Sequence, residues 1–315
     1  MKKTIFSLLL LTVVLPSAAQ QVQLLPFGNF DQWITRNIKE SGVIGGKQKT
    51  IYAIGPTQTI NGQIAYHNKG GSPWATSNVM AHVSGIYKTN LSVYKEPHNG
   101  HGSCAKLYTH LEGVKVLGLI NINVLAAGSV FVGEMQEPIT SASDPMKKLN
   151  YGIPFTRKPK ALVFDYAVKL AGGNSRIKQT GFGGASKVAG MDMPDVLLFL
   201  QKRWEDAKGN IYAKRIGTMV TRFVSNTGWR NGQRFEIHYG DITKTSYYKN
   251  YMGLNYVQRY AKNSKGKMVP IKEIGWGSAS DTPTHLCLQF DSSHGGAYVG
   301  SVGNTLWIDN VGFVY

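Results

Sequence analysis

FDSSHGGAYVGSVGNTLWIDNVGFVY, Phe290 to Tyr315, closes the chain and decides how the rest is read. A Ser/Gly-rich loop gives way to Thr305-Leu306-Trp307-Ile308-Asp309-Asn310-Val311-Gly312-Phe313-Val314-Tyr315, where aromatic and β-branched residues alternate with others at a period of two. That alternation marks a half-buried terminal strand. Acidic residues are poor strand formers, so Asp309 in the middle of it calls for a local reason.

Working back along the chain, the same pattern recurs at short intervals. Gln23–Trp33 reads as an opening strand and turn, Ser103–Leu111 and Ala126–Glu134 as strands, and Arg234–His238 and His285–Phe290 as two more. Lys160–Leu170 reads as a long strand whose apolar run also suits a buried helix, and Asp195–Glu205 fits a helix or a strand equally. Asn61-Gly62 and Gly45-Gly46 are hairpin signals. With 36 Gly, 16 Tyr, 12 Phe and 6 Trp against 17% charged residues, the composition is that of many short strands joined by Gly-rich turns. The expected fold is all-β, an antiparallel β-sandwich of jelly-roll type. No repeat, Pro-rich linker or low-complexity tract divides it, so residues 20–315 are expected to form a single domain.

Met1-Lys2-Lys3, the apolar run Ile5–Leu15 and the small residues Ser17-Ala18-Ala19 have the layout of a signal peptide over residues 1–19. The apolar run is shorter than the roughly 20 residues that span a bilayer, and no other segment approaches that length. An exported protein is expected, in the periplasm, at the cell surface or secreted, with no transmembrane segment once the leader is removed. The net charge of +17 favours polyanionic partners. Export sets nucleic acid aside and leaves carbohydrate, with acidic glycans foremost, or the cell envelope.

Five phrases in fixed order carry a family resemblance: Trp74 to Asn78, Gly102-Ser103-Cys104-Ala105-Lys106-Leu107-Tyr108-Thr109, Ala127-Gly128-Ser129-Val130-Phe131-Val132-Gly133, Tyr151-Gly152-Ile153-Pro154-Phe155-Thr156-Arg157-Lys158-Pro159, and Gly300 to Asp309. In these the chain resembles the PCMD family, a putative carbohydrate metabolism domain of exported Bacteroidetes proteins. The resemblance implies a β-sandwich similar to jelly-roll carbohydrate-binding modules. Many such modules end in a phrase like Trp307-Ile308-Asp309-Asn310-Val311, and their aspartate often holds a structural calcium. By that precedent Asp309 and Asp31, from the last and first strands, are the expected calcium ligands, completed by carbonyls and water. The opening strand is less acidic than the precedent, with Asp31 alone.

For ligand contact, Trp74 and Trp229 sit in glycine-flanked contexts and are read as stacking platforms for sugar rings or as core residues. Tyr251 and Tyr256 lie in an aromatic and basic stretch with Lys249, Arg259 and Lys262, which suits an acidic sugar or the two faces of a strand. Arg157 either buttresses its loop or clamps a carboxylate. Glycoside hydrolysis needs a carboxylate pair, for which Glu134 and Glu236 are the nominees. No GxSxG, HExxH, Walker or zinc-spaced Cys/His motif occurs, and His98 and His101 read as a solvated turn or a metal pair. Cys104 and Cys287 are read as a disulfide or as two buried thiols. Glycan binding is the leading function, a carbohydrate-active hydrolase the alternative, and an envelope structural role the third.

Overall fold

A computed structural model describes residues 21–116, 120–141, 145–181 and 183–315; the leader read over residues 1–19 lies outside them. Among the described residues the protein is all-β, with three short 3-10 turns as its only helical structure. No helix among them is long and apolar enough to cross a membrane.

The terminal strand Thr305–Val314 is central to the first sheet. Across that sheet the order is Thr227–Glu236, Ala161–Lys169, Thr305–Val314, Ser103–Tyr108 and Val93–Pro97, all antiparallel. Gln23–Leu24, the first described strand, also pairs with Thr305–Val314, so the first and last described strands lie side by side. Asn310 takes φ 51° at an irregularity in the ladder between Thr305–Val314 and Ala161–Lys169. This extra residue lets Ile308 and Val311 both reach the core while Asp309 faces the other way, the usual effect of a bulge.

The second sheet departs from a simple sandwich layer. Its strands His285–Asp291, Asp195–Glu205, Ile211–Arg222, Met268–Trp276, Tyr260–Lys262, Leu149–Tyr151 and Ser129–Met135 pair in that order, and the last pairs back on the first. The result is a barrel-like ring of 7 strands. Two of its ladders are parallel, correcting the expectation of uniformly antiparallel pairing. Gly133 makes the corner: Ser129–Met135 pairs with His285–Asp291 at one end and with Leu149–Tyr151 at the other. It does so at φ 141°, with its Cα so near Asn150 that an added Cβ would fall 2.2 Å from that carbonyl oxygen.

One wall of the ring packs on the first sheet. Val130, Val196, Leu198, Leu200, Leu288 and Phe290 interleave with Leu107, Leu162, Phe164, Leu306, Ile308 and Phe313 in one apolar layer. The opposite face of Asp195–Glu205 carries Leu197 and Phe199, which pack with Cys287 and Val220 inside the ring. Both faces of this strand are therefore covered. That explains an apolar run without alternation, and the 11 residues are strand throughout.

Cys104 and Cys287 belong to different sheets and are free, buried thiols, so the disulfide reading is set aside. Burial pushes the Cys104 thiol up to about 12, with Asp309 adding to it.

Candidate functional site

The ring has a mouth. Asp195 opens the strand Asp195–Glu205, Asp291 ends His285–Asp291, Arg222 ends Ile211–Arg222 and Ser129 opens Ser129–Met135. Register brings all four together: Asp195 is opposite both Asp291 and Arg222, and Asp291 is opposite Ser129. Because Val196, Leu198 and Leu200 point to the shared layer, the odd positions Asp195, Leu197 and Phe199 face into the ring.

Directly opposed residues of an antiparallel pair have Cβ atoms about 4.5–5.5 Å apart, so two carboxyls are held close and away from water. Asp195 is 5% exposed and Asp291 8%. Burial, followed by the charge of Asp291, pushes the Asp195 carboxyl well above the usual carboxylate range against the opposing pull of Arg222 and Arg259. Asp291 is raised by burial to about 6, restrained by hydrogen bonds from Ser129 and Gln289. Ser129 Oγ and Gln289 Nε2 (2.9 Å) both donate to Asp291 Oδ1. Asp195 is less well served. Its Oδ2 lies 3.5 Å from Arg222 Nε, while its Oδ1 and that same Nε have no hydrogen-bond partner among the described residues. Buried polar atoms are rarely left so, and both residues line a cavity.

That cavity measures ≈ 700 Å³, within the range of small-ligand clefts. Asp195, Asp291, Arg222 and Arg259 are charged groups of its lining, beside the Lys88–Glu112 ion pair; Tyr251 and Tyr256 give two aromatic walls, and aliphatic side chains much of the remainder. The Arg222 guanidinium sits 3.9 Å from the Tyr251 ring centroid, and that of Arg259 4.9 Å from Phe199. Tyr256 is 58% exposed and available at the rim. Deeper in the ring, Glu273 accepts from Arg215 Nε (2.8 Å) and Gln201 Nε2 (2.6 Å), a polar plug that gives the charged interior its partners.

Of the residues nominated from sequence, Tyr251, Tyr256 and Arg259 come together here. Trp74 does not: it is fully buried, donates its indole N–H to Pro26 O (2.8 Å) and packs between Phe30 and Phe290. No face of the ring is open to a sugar. Arg157 is exposed and lies 3.7 Å over the Tyr315 ring, a brace for the chain end rather than part of the cleft. Glu134 contacts His67 and Lys262, and Glu236 ends an edge strand, so neither is half of a buried pair. The buried pair at this mouth, Asp195 with Asp291, escaped sequence reading, although each bounds an apolar strand where a charge is out of place.

Trp229 belongs to a second cluster, on the outer face of the first sheet. Its indole stacks on His98 with centroids 3.6 Å apart, and His101 stacks on His98 at 4.4 Å. His98 Nδ1 is 2.7 Å from Asp309 Oδ2, and Asp309 is directly opposite Asp165 in the ladder. Asp165 accepts from Gly232 N and from Asn310 Nδ2 (2.8 Å). Asp31 has different partners: it accepts from Ser103 N (2.9 Å) and Asn29 Nδ2 (2.7 Å). What lies beside Asp309 is imidazole, and calcium prefers an all-oxygen shell, so the donors around Asp309 do not fit that cation.

Comparison with known proteins adds a family likeness. No curated protein sequence matches the chain. Among solved structures, a putative glycoside hydrolase from Bacteroides thetaiotaomicron VPI-5482 is 17% identical, with a TM-score of 0.45 over 86% of this chain and 76% of that one. Another from Bacteroides vulgatus ATCC 8482 is 12% identical, with a TM-score of 0.43 over 94% of this chain and 95% of that one. Residues 47–177 match the family model described as "Putative carbohydrate metabolism domain". Over that stretch, less than half of its length, the chain is similar to the PCMD family.

Proposed function

We propose that the protein is an exported carbohydrate-recognition protein that takes its ligand into the cleft at the mouth of the ring. The observation that carries this reading is the unsatisfied Asp195 Oδ1 and Arg222 Nε, two buried hydrogen-bonding atoms of residues that line a cavity with Tyr251 and Tyr256. A sugar hydroxyl supplies what both atoms lack, and the tyrosine faces give the apolar side of a pyranose a surface. The family likeness supports carbohydrate as the ligand class, and the leader-like residues 1–19 support export. Two stacked sheets support a sandwich akin to carbohydrate-binding modules, here with one layer closed into a ring. The charge of +17 favours an acidic glycan, whose binding weakens as salt screens it.

The carboxylate pair favours a second reading, glycoside hydrolysis. Cross-strand spacing falls nearer the approach of about 5–5.5 Å used by retaining enzymes than the wider gap of inverting ones. Asp195, held neutral, would protonate the leaving oxygen as an Asp291 carboxylate oxygen bonds to the anomeric carbon and the glycosidic C–O bond breaks. Water would then attack that carbon, giving its proton to Asp195 and freeing Asp291. One experiment separates the readings. Wild type, Asp195→Asn and Asp291→Asn are each incubated with labelled glycans at low and high salt, scoring retention and new reducing ends. Recognition predicts retention without new ends, weakened in Asp195→Asn. Hydrolysis predicts new ends that vanish in both variants while retention persists. Neither retention nor turnover on any glycan sinks both.

A further inference from the structure

We propose that His98, His101 and Asp165 form a binding site for a divalent transition metal of the zinc type, with Asp309 as the residue that orients His98. The site lies outside the barrel cleft and does not depend on the carbohydrate reading.

Three observations converge on it. One donor atom from each of His98, His101 and Asp165 lies within 4.8 Å of the other two, although the residues come from a turn and a separate strand. His98 is also prepared as a ligand. Its Nδ1 is 2.7 Å from the fully buried Asp309, a contact that places the proton on Nδ1 and leaves the Nε2 lone pair for a metal. A carboxylate behind a ligating imidazole is the common outer partner of metal-bound histidine, and Trp229 stacked at 3.6 Å holds the ring's plane. The charge balance also asks for a cation. Asp165 and Asp309 are opposed across one ladder, where like charges repel. The chain has 35 Lys and Arg, yet among the described ion pairs neither aspartate has one of them as a partner.

Donor chemistry selects the metal. Two imidazole nitrogens with one carboxylate oxygen suit zinc and its neighbours, whereas calcium and magnesium take oxygen shells. In a tetrahedral zinc site the donors stand roughly 3.4 Å apart, so the cluster, now within 4.8 Å, must tighten by up to about 1.4 Å. His101 is the donor that moves. Its side chain is exposed, with a stack on His98 and a 3.2 Å contact with Asn231 as its contacts among the described residues, and it follows Gly100 at φ 81° in a turn closed by the His101 N–H donating to His98 O (2.8 Å). The base of that turn is fixed, because Asp31 accepts the Ser103 N–H and lies against Gly102, where a Cβ would come within 2.1 Å of its carboxylate. Asp31 and Asp309 thus serve one site from outside it, the first by bracing the turn and the second by aiming His98. Three protein donors leave a tetrahedral metal one open position for water or a ligand.

The test uses the full chain, stripped with chelator, then titrated with zinc, calcium or magnesium by calorimetry and thermal melting. The expected result is one zinc per chain with a raised melting temperature, and no comparable response to calcium or magnesium. His101→Gln, a change at an exposed position, should melt like wild type without metal and lose the zinc response. Asp309→Asn should bind zinc about 10–100-fold more weakly. His67→Gln, at an exposed histidine elsewhere, should respond as wild type. No zinc response in the wild type, an undiminished response in His101→Gln, or an equal response to calcium would each overturn the proposal.

Discussion

Asp195 and Asp291 show how two carboxyls placed in register become unlike ordinary ones. Burial favours their neutral forms, so the folded state holds protons that the unfolded chain releases. For Asp291 the folded value of about 6 stands above the ordinary 3.8, which makes stability fall as pH rises between those values. Its contribution is complete below 3.8 and lost above about 6, and Asp195, also raised by burial, acts in the same direction. We predict that Asp291→Asn, which keeps an acceptor for Ser129 but cannot ionise, melts above wild type by a margin that opens between pH 4 and 6 and then levels. A margin independent of pH would show that Asp291 is ionised normally in the fold. Neither aspartate was legible as half of a pair from sequence, because they are 96 positions apart by numbering and only the ladder opposes them. The burial of His98 was illegible for the same physical reason. Its partner Asp309 is 211 positions away, so locally the residue looks like one more polar member of a turn.

At the scale of elements, period-two alternation made the terminal strand legible, and Thr305–Val314 is where that pattern places it. The helix-or-strand ambiguity of Asp195–Glu205 arose because both faces are covered, which erases the alternation that tells the two apart. The closure of the ring had no local signature, since it depends on Gly133 switching partners between strands distant in sequence. Another element-level tie left no pattern either. Glu137, its side chain 2% exposed, accepts from both terminal nitrogens of Arg36 (2.9 and 2.6 Å), from Tyr66 N (3.1 Å) and from Met80 N (3.0 Å). It thereby fastens the strand Trp33–Lys39 to Val79–Val83, whose Val79 and Ala81 border the cleft. Removing one partner of a buried ion pair strands the other charge, at a cost of about 3–5 kcal/mol. Glu137→Leu should therefore lose about that much stability in urea unfolding, and adding Arg36→Met should restore a large part of it. A double variant as unstable as the single one would mean that Glu137 matters through its amide contacts rather than through the pair.

Across the whole molecule, composition announced a β protein and the order of five phrases pointed to the family, but the position of the site was legible only in part. Tyr251, Tyr256 and Arg259 were marked by an aromatic and basic stretch that does border the cleft, whereas Trp74 was marked by its glycine-rich neighbourhood and lies in the core. A glycine-flanked tryptophan reads alike in both settings, because the burial of its ring is decided by Phe30 and Phe290 from remote segments. The central claim is that a carbohydrate enters the mouth of the ring, and filling that mouth tests it most directly. Leu197 is a cleft residue between Asp195 and Phe199, and Leu197→Trp occupies the space without removing any polar partner. Glycan retention by this variant should fall at least tenfold at an unchanged melting temperature, with Tyr251→Ala weakening it as well. Retention equal to wild type in both variants would contradict the account.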